Sequence, residues 1–481
     1  MKRILFFFLD KKNFLYFNVL FLIILCFNIN NKTLTVFSLT YLFINSFIQH
    51  SFSKGLIFSY FLFSLFWVGK TYTFLLIPAS NLIFGNNKIG YPGYQGYIII
   101  DPGFIIGTIL TAYLVYLIKN KKVEIEKLDF LLIIFLVLAL FSTFLSLNYN
   151  ISLYIWFNFL FIFCFYILLK NTLLQDKYMI NQLLSFFCLI VIYENIWAIL
   201  QFIKGGELFS SLESGSSVFW SEDAEISSFT LRTYGSFPHV NVYANFIAPF
   251  AVIFYLTGYI KKFSKKIQNF ICLIIALFGI IISISRSSWI SFFIPSLIFT
   301  YIFEKKIRLS YNPIYKKGLI YITLIFLPLL FIFIKPRLEG TLSTFNIEGS
   351  GLTRIELIKE SINFISKHPL FGSGPGMSVL GMYMENPNGE MFYFPFPVHN
   401  LYLHLISEFG IPASTVFFIF IIFLIRSKTK YTKISNLDNV MLKKIYLAAA
   451  IAILISGLFE LYFVKTNMLY LITFLTLYKY G

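Results

Sequence analysis

Residues 353–376 read TRIELIKESINFISKHPLFGSGPG, and residues 397–411 read PVHNLYLHLISEFGI. These two stretches concentrate arginine, histidine, asparagine and glycine in a chain that is otherwise almost continuously apolar. Polar and charged side chains are costly near a lipid bilayer and are retained there mainly for function. We therefore predict that the apolar helices hold this segment, together with two smaller polar stretches, over one face of a membrane.

The composition predicts an all-helical membrane protein with many spanning helices. Of the 481 residues, 58% are hydrophobic and 13% are charged, whereas a soluble domain carries about 25% charged residues. The four cysteines lie inside apolar runs, which indicates core side chains rather than disulfides or metal ligands. The N-terminal sequence MKRILFFFLDKKN lacks a small-residue cleavage site, so we expect an uncleaved membrane anchor.

Apolar stretches long enough to cross a bilayer recur along the chain. A spanning helix needs about 20 apolar residues, so we predict about 12 to 14 such helices. The candidate spans lie near residues 13–30, 33–49, 55–69, 102–118, 130–147, 152–169, 183–203, 241–260, 268–285, 287–303, 319–334, 400–425, 445–464 and 467–478. Residues 73–85 could form a further, partial span.

Lysine and arginine in the connectors predict the orientation of these helices. Threading the spans through a bilayer puts every basic connector on one side, which is then cytoplasmic. These connectors are residues 119–127, 261–266, 304–317 and 426–433. The net charge of +17 reflects this bias, so we expect no nucleic acid partner. The long segments 204–240 and 335–399 are predicted to lie on the external side.

Residues 353–368, within the second external segment, have the pattern of an amphipathic helix. Thr353 and Glu356 fit a capping box at its start, and isoleucines at helical spacing form one stripe. The stripe residues are Ile355, Ile358, Ile362 and Ile365. We expect this helix to lie along the outer surface and to cover a cavity.

A glycine-rich turn follows the predicted helix. Pro369 ends the helical pattern, and Gly372, Gly374 and Gly376 follow at alternate positions. Because glycine has no side chain, the backbone of this turn can approach a ligand closely. His368 adjoins Pro369, so it is a candidate for ligand binding or simply a turn residue.

Three arginines lie on the predicted external face: Arg232, Arg286 and Arg354. A guanidinium group is always charged and its fork of donors suits phosphate oxygens. Any one of these arginines is also explained by snorkelling at a helix end. Arg286 fits that alternative least well, because only a tight turn between two apolar spans holds it. A diphosphate ligand would account for all three.

His399 begins the predicted span 400–425, and Asn400 follows it. A histidine at the membrane rim can act as a general base at neutral pH, or it can simply cap the helix. At 100° per residue Glu408 lies nearly opposite His399, so we do not expect a dyad between them. His404 is interpreted as structural, and His239, which adjoins a proline, as either a site or a turn residue.

Two further features have both a functional and a structural interpretation. Glu194 lies about 17 Å into its predicted span and is expected to pair with a neighbouring helix or an arginine. The aromatic side chains of residues 392–396 could stack on sugar rings or form an interfacial belt. The chain contains no HExxH, P-loop, GxSxG or CxxC motif and no cluster of carboxylates, so we expect no metal.

Four stretches in the region 230–425 resemble the O-antigen ligase and polymerase family of bacterial cell-surface glycan assembly. They are R-x-x-G-x-F-P-H-x-N-x-x-A from Arg232 to Ala244, Ser285-Arg286, H-P-L-x-G-x-G-P-G from His368 to Gly376, and P-V-H-N-x-Y-L followed by E-x-G-I, ending at Ile411. Each stretch alone is a weak signal, but all four occur in order and at the expected spacing. Val240 replaces the proline often found after that histidine. The first half of the chain matches in hydropathy alone.

The resemblance implies an inverting, metal-independent glycosyltransferase with a membrane-embedded fold of the GT-C kind. Its donor would be a polyprenyl-diphosphate-linked glycan on the outer side of the bacterial cytoplasmic membrane, and its acceptor a glycan or a lipid, among membrane lipids. Arg232 and Arg286 would bind the diphosphate, with Arg354 as a third partner, and His399 would activate or orient the acceptor hydroxyl. No cofactor is implied. Further substrate-binding candidates are His239, Asn241, His368, Gly374, Gly376 and Asn400.

These expectations divide the chain into three parts: N-terminal helices at 1–203, a ligase-like core at 204–425 that includes the external loop 335–399, and C-terminal helices at 426–481. The sequence does not separate polymerisation of repeat units from ligation of a finished polymer. A solute transporter is an alternative, because some relatives of this family have been assigned to uptake. It is less favoured, because the polar residues crowd one face instead of lining a path through the bilayer midplane. A non-catalytic assembly subunit is a third possibility.

Overall fold

The computed structural model describes most of the helical part of the chain. The described residues are 18, 31–65, 75–78, 97–206, 208, 232–237, 239–260, 266–306, 350–389, 391, 397–426, 437–460 and 464–481. The N-terminal anchor, the predicted span 319–334, the aromatic run 392–396 and nearly all of the span 13–30 lie outside them. So do most of residues 204–240 and most of the basic connectors after residue 127.

Long helices dominate the described residues, as the apolar stretches predict. In chain order they are α1 (Asn31–Ile48), α2 (Phe52–Leu65), α3 (Pro102–Lys119), α4 (Asp129–Phe144), α5 (Tyr149–Gln175), α6 (Met179–Lys204), α7 (Val240–Leu256), α8 (Lys266–Ser283), α9 (Arg286–Tyr301), α10 (Ser350–Lys367), α11 (Ser378–Glu385), α12 (Leu401–Arg426), α13 (Leu437–Ser456) and α14 (Val464–Tyr480).

Six helical segments of the described chain are long and apolar enough to cross a membrane. They are α3, α5, α6, α12, α7 extended to Tyr259, and α9 extended to Lys305. Shorter apolar helices occur at Phe37–Ile48, Asp129–Phe144 and Ile267–Ser283. The predicted class, an all-α polytopic membrane protein, is confirmed.

The possible partial span at 73–85 is wrong where the structure describes it. Leu75–Pro78 is a strand, β1, that pairs antiparallel with β2 at Tyr97–Ile100, in a register that sets Leu75 opposite Ile100. A short apolar run does not by its pattern distinguish a strand from a helix. Here a second apolar run supplies the partner for the backbone hydrogen bonds.

Helix α10 forms where the amphipathic helix is predicted, but two details of the prediction are wrong. The helix begins at Ser350, so Thr353 lies inside it and does not cap it. Its buried face carries Leu357, Ser361 and Phe364, whereas Ile355 is 46% exposed. Leu357 and Phe364 pack in one cluster with side chains of α11. The neighbouring helix therefore decides which stripe is buried.

The glycine-rich turn after α10 docks on a break in α12. Gly410 interrupts that helix at φ 77°, and Ile411 N donates to Pro369 O at 2.8 Å. Gly374 N donates to Glu408 O at 3.0 Å. A Cβ atom on Gly410 would lie 2.2 Å from Leu370 O. The close backbone approach predicted for this turn is thus an approach to another part of the protein.

Candidate functional site

Arg232 joins two segments that lie far apart in sequence. Its buried guanidinium donates through Nε to Ser283 O at 3.1 Å and through Nη2 to Asn241 Oδ1 at 3.1 Å. Ser283 ends α8, and Ile284 follows in the left-handed region at φ 53°. The buried charge therefore fixes the tight turn between α8 and α9, as well as the start of α7.

Polar side chains of α6 hold the loop that carries Arg232. Ser236 Oγ donates to Glu194 Oε1 at 2.8 Å, and Ser236 N donates to Glu194 Oε2 at 3.1 Å. Gln201 Oε1 accepts from the backbone amides of Tyr234 and Gly235 at 3.2 and 3.0 Å. Glu194 therefore pairs with a loop residue, Ser236, in these hydrogen bonds, and not with a neighbouring helix or an arginine as expected.

Glu460, in the segment between α13 and α14, lies at the centre of the site. Its Oε1 accepts from Asn241 Nδ2 at 2.7 Å and from Arg354 Nη2 at 3.2 Å. Asn241 in turn accepts from Arg232, so four side chains form one continuous network. Burial raises the pKa of the Glu460 carboxyl to about 7, although the charge of Arg354 opposes the shift. The second oxygen, Oε2, is buried without a hydrogen-bond partner among the described residues.

The two half-buried histidines of the site are neutral at physiological pH. Burial, together with smaller contributions from the neighbouring Arg232, His399 and Arg354, lowers the pKa of His239 to about 3. Burial and the charge of Arg354 lower the pKa of His399 to about 4. His239 Nδ1 accepts from Asn241 N at 3.1 Å and caps α7. His399 is thus an unprotonated imidazole beside an arginine.

Asn400 and Arg286 border this network. Asn400 Oδ1 caps α12 by accepting from the amides of Tyr402 and Leu403 at 3.1 and 3.0 Å. Its Nδ2 donates to Leu458 O at 3.3 Å, which brings the start of α12 to the segment that carries Glu460. Arg286 is exposed and is the first residue of α9, directly after the turn that Arg232 holds.

Three other predicted site residues have contacts elsewhere among the described residues. His368 Nε2 is 2.8 Å from Glu385 Oε1 on the exposed side of α10 and α11. Gly374 and Gly376 lie in the buried turn at φ 93° and 75°. The carbonyl between them, Pro375 O, accepts from Ser152 Oγ at 2.8 Å. None of these hydrogen bonds reaches Glu460 or the arginines, so direct contact of these three residues with a substrate remains a prediction.

A separate buried group joins α11 to α12. His404 Nε2 lies 3.2 Å from Glu408 Oε1, and Ser378 Oγ lies 3.3 Å from both His404 Nδ1 and Glu408 Oε1. All three side chains are buried. Glu408 therefore pairs with His404 one turn away rather than with His399, in agreement with the helical geometry.

Sequence reasoning missed Glu460. The predicted span 445–464 included it, but the helix ends at Ser456, so the carboxylate lies beyond the helix end. A lone acid in the apolar stretch SGLFELYF, at the predicted external end, was the available signal. Within the described residues, no group of three or more His, Cys, Asp or Glu side chains is arranged to hold a metal ion.

These helices define a multi-pass membrane protein, and the buried polar network at their ends is its candidate site. Residues 271–418 match the family model described as O-antigen ligase. The match confirms the resemblance to the O-antigen ligase family that the sequence predicts. A search of curated proteins gives no match. Arg286, Arg354 and His399 lie inside the matched segment, whereas Arg232 and Glu460 lie outside it.

Proposed function

We propose that this protein is an inverting glycosyltransferase that transfers or polymerises a polyprenyl-diphosphate-linked glycan at the outer face of the cytoplasmic membrane. The observation that carries the proposal is the network Arg354–Glu460–Asn241–Arg232, which holds two guanidinium groups with one carboxylate beside the neutral His399. With Glu460 ionised, the network keeps one net positive charge, and Arg286 adds an exposed second. Such a site suits a doubly charged phosphate ester.

In the proposed reaction the arginines and His399 have separate roles. The acceptor hydroxyl attacks the anomeric carbon, the new glycosidic bond forms with inversion, and the bond from that carbon to the diphosphate oxygen breaks. The electron pair leaves with the diphosphate, where the fixed charges of Arg286, Arg354 and Arg232 stabilise it. The hydroxyl proton passes to the His399 imidazole and then to water. Because His399 is already unprotonated at neutral pH, it can accept this proton without prior loss of another.

The orientation in the membrane is part of the proposal. The site lies at the helix ends that the basic-connector rule predicts to be external. A donor flipped to that face on its polyprenyl carrier would reach Arg286 and Arg354 from the lipid side, because neither side chain is buried.

The first test combines two substitutions with one deletion. Arg286→Ala and His399→Ala are each expected to abolish surface glycan while the protein remains at its normal level in the membrane. Lys359→Ala, on the exposed side of α10, is the matched control and should keep surface glycan unchanged. Normal glycan in both site variants would contradict the assignment and favour a non-catalytic assembly subunit.

The size of the lipid-linked glycan in a deletion strain separates the two reactions. Accumulation of single repeat units on the carrier indicates a polymerase, whereas accumulation of full-length polymer indicates a ligase. No change in either pool would contradict glycan transfer and favour the transporter alternative.

A further inference from the structure

The proposed chemistry does not explain why a negatively charged residue, Glu460, lies beside the arginines. A site for a diphosphate gains affinity from positive charge, and a buried carboxylate lowers it. Yet Glu460 Oε1 is the acceptor for Arg354 on α10 and for Asn241 on α7. Glu460 also lies beyond the end of the segment 271–418, so the family match assigns it no role.

The segment that carries Glu460 connects three parts of the site. Gly457 O accepts from Leu401 N at 2.7 Å, and Leu458 O accepts from Asn400 Nδ2 at 3.3 Å, so residues 457–458 hold the start of α12 next to His399. Two residues further on, Glu460 reaches α10 and α7. One short segment thus contacts the start of α12 beside His399, Arg354 on α10, and the asparagine that binds Arg232.

The amide of Asn241 shows how the carboxylate acts at a distance. Its Nδ2 donates to Glu460 and its Oδ1 accepts from Arg232, so the acceptor on one side fixes which way the amide faces on the other. Without an acceptor at position 460, neither Asn241 nor Arg354 keeps this hydrogen bond. The side chain of Arg354 is 39% exposed and has long, rotatable bonds, so it would lose its fixed position.

We propose that Glu460 is a positioning residue, which holds Arg354 and, through Asn241, Arg232 in the geometry that receives a diphosphate group. The inference rests on the proposed function for its ligand, but its structural part can be measured without any ligand. Substrate binding is expected to need the hydrogen-bond acceptor at position 460 and not its negative charge.

This distinction can be tested by whether each substitution at position 460 weakens or strengthens the binding of a diphosphate. Binding of farnesyl diphosphate, a short polyprenyl diphosphate, is measured on the full-length protein in nanodiscs at pH 8, where Glu460 is mostly ionised. Glu460→Ala removes the acceptor and the charge, and binding should weaken by about tenfold or more. Glu460→Gln removes the charge and keeps an acceptor oxygen, and binding should equal or exceed that of the wild type. Glu356→Ala, which breaks an exposed ion pair on α10, is the matched control.

If Glu460 acted only as a counter-ion to the arginines, its removal would strengthen the binding of the diphosphate instead of weakening it. If Glu460→Ala binds the diphosphate as tightly as the wild type or more tightly, the positioning role is overturned. If Glu460→Gln is as weak as Glu460→Ala, the charge itself is required and the inference also fails.

Hydrogen–deuterium exchange of the unliganded protein separates failure of this inference from failure of the proposed function. Faster exchange of residues 350–356 and 239–245 in Glu460→Ala, but not in Glu356→Ala, is expected. If the wild type does not bind farnesyl diphosphate, the proposed function is contradicted, and the exchange result alone decides the positioning role. Unchanged exchange in Glu460→Ala would overturn it.

Discussion

Arg354 and Asn241 donate to the same oxygen atom, Oε1 of Glu460, at 3.2 and 2.7 Å. The two donors come from α10 and from the first turn of α7, and they lie 113 positions apart in the chain. A shared acceptor makes their positions interdependent, so a change at Glu460 should alter both. The predictions below follow from this network and from the buried turn beside it.

Donor binding should depend on pH through Glu460. The pKa of this carboxyl is raised to about 7, mainly by burial, so it gains a proton as the pH falls through about 7. Protonation removes a negative charge that faces Arg354 and Arg232, with His239 and His399 remaining neutral, and leaves a carbonyl oxygen as acceptor. Affinity for farnesyl diphosphate should therefore rise as the pH is lowered from about 8 to about 6.

The ligand itself titrates in the same range, so Glu460→Gln is the reference. The ratio of the wild-type and Glu460→Gln dissociation constants should approach one at the lower pH and grow as the pH rises. A ratio that stays constant across the range would show that Glu460 does not titrate there.

Substitutions of Arg232 and Arg286 should differ in their effect on the stability of the protein. Arg232→Ala leaves the Ser283 carbonyl and the Asn241 amide without their donor, and this should lower the free energy of unfolding by about 1–3 kcal/mol. Arg286→Ala removes an exposed side chain and should change it by less than about 0.5 kcal/mol. Thermal unfolding in detergent, measured beside glycan transfer, checks both values. Equal destabilisation by the two substitutions would contradict the structural difference between them.

The His399 imidazole should be an active base across the neutral range. Its pKa is lowered to about 4 by burial and by Arg354, so it is unprotonated at every pH above about 5. The turnover number at saturating donor should stay level from about pH 6 to pH 8 and should fall only as the pH approaches 4. A turnover number that drops with an apparent pKa between 6 and 7, and keeps that drop in Glu460→Gln, would contradict this environment.

The break in α12 should be sensitive to a single methyl group. A Cβ atom on Gly410 would lie 2.2 Å from Leu370 O, in addition to the strain of φ 77°. Gly410→Ala should therefore lower the free energy of unfolding by about 3 kcal/mol or more. Gly205 has a similar φ of 73° with no atom within 4 Å of such a Cβ, so Gly205→Ala should cost only about 1 kcal/mol. Equal thermal midpoints for the two variants would rule out the close contact at Gly410.

Much of the candidate site could be predicted from residue type and spacing. Arg232, His239 and Asn241 occur within ten residues, and His399 begins a span, so their presence at helix ends follows from the sequence. Arg354 could be placed on an external helix for the same reason. Their hydrogen-bond partners could not be predicted, because Ser283 and Glu460 come from segments distant in the chain.

The details of the fold that could not be predicted from the sequence have a common cause. The isoleucine stripe of α10 has helical spacing, yet Leu357 and Phe364 face α11, since packing against a particular neighbour selects the buried face. The glycine turn has the backbone freedom for a close approach, and the position of α12 decides that its amides contact that helix.

The sequence by itself determined the class of the protein, the approximate bounds of its long helices, and its resemblance to the O-antigen ligase family. Those properties depend on local hydropathy, on periodicity and on motifs that are continuous in the chain. Only the tertiary structure decided that Glu460 joins Arg354 to Asn241 and that Glu194 supports the loop of Arg232. These contacts depend on which helix ends lie next to each other. Apolar packing decides that arrangement, and the hydropathy pattern of the chain does not specify which polar side chains then become partners.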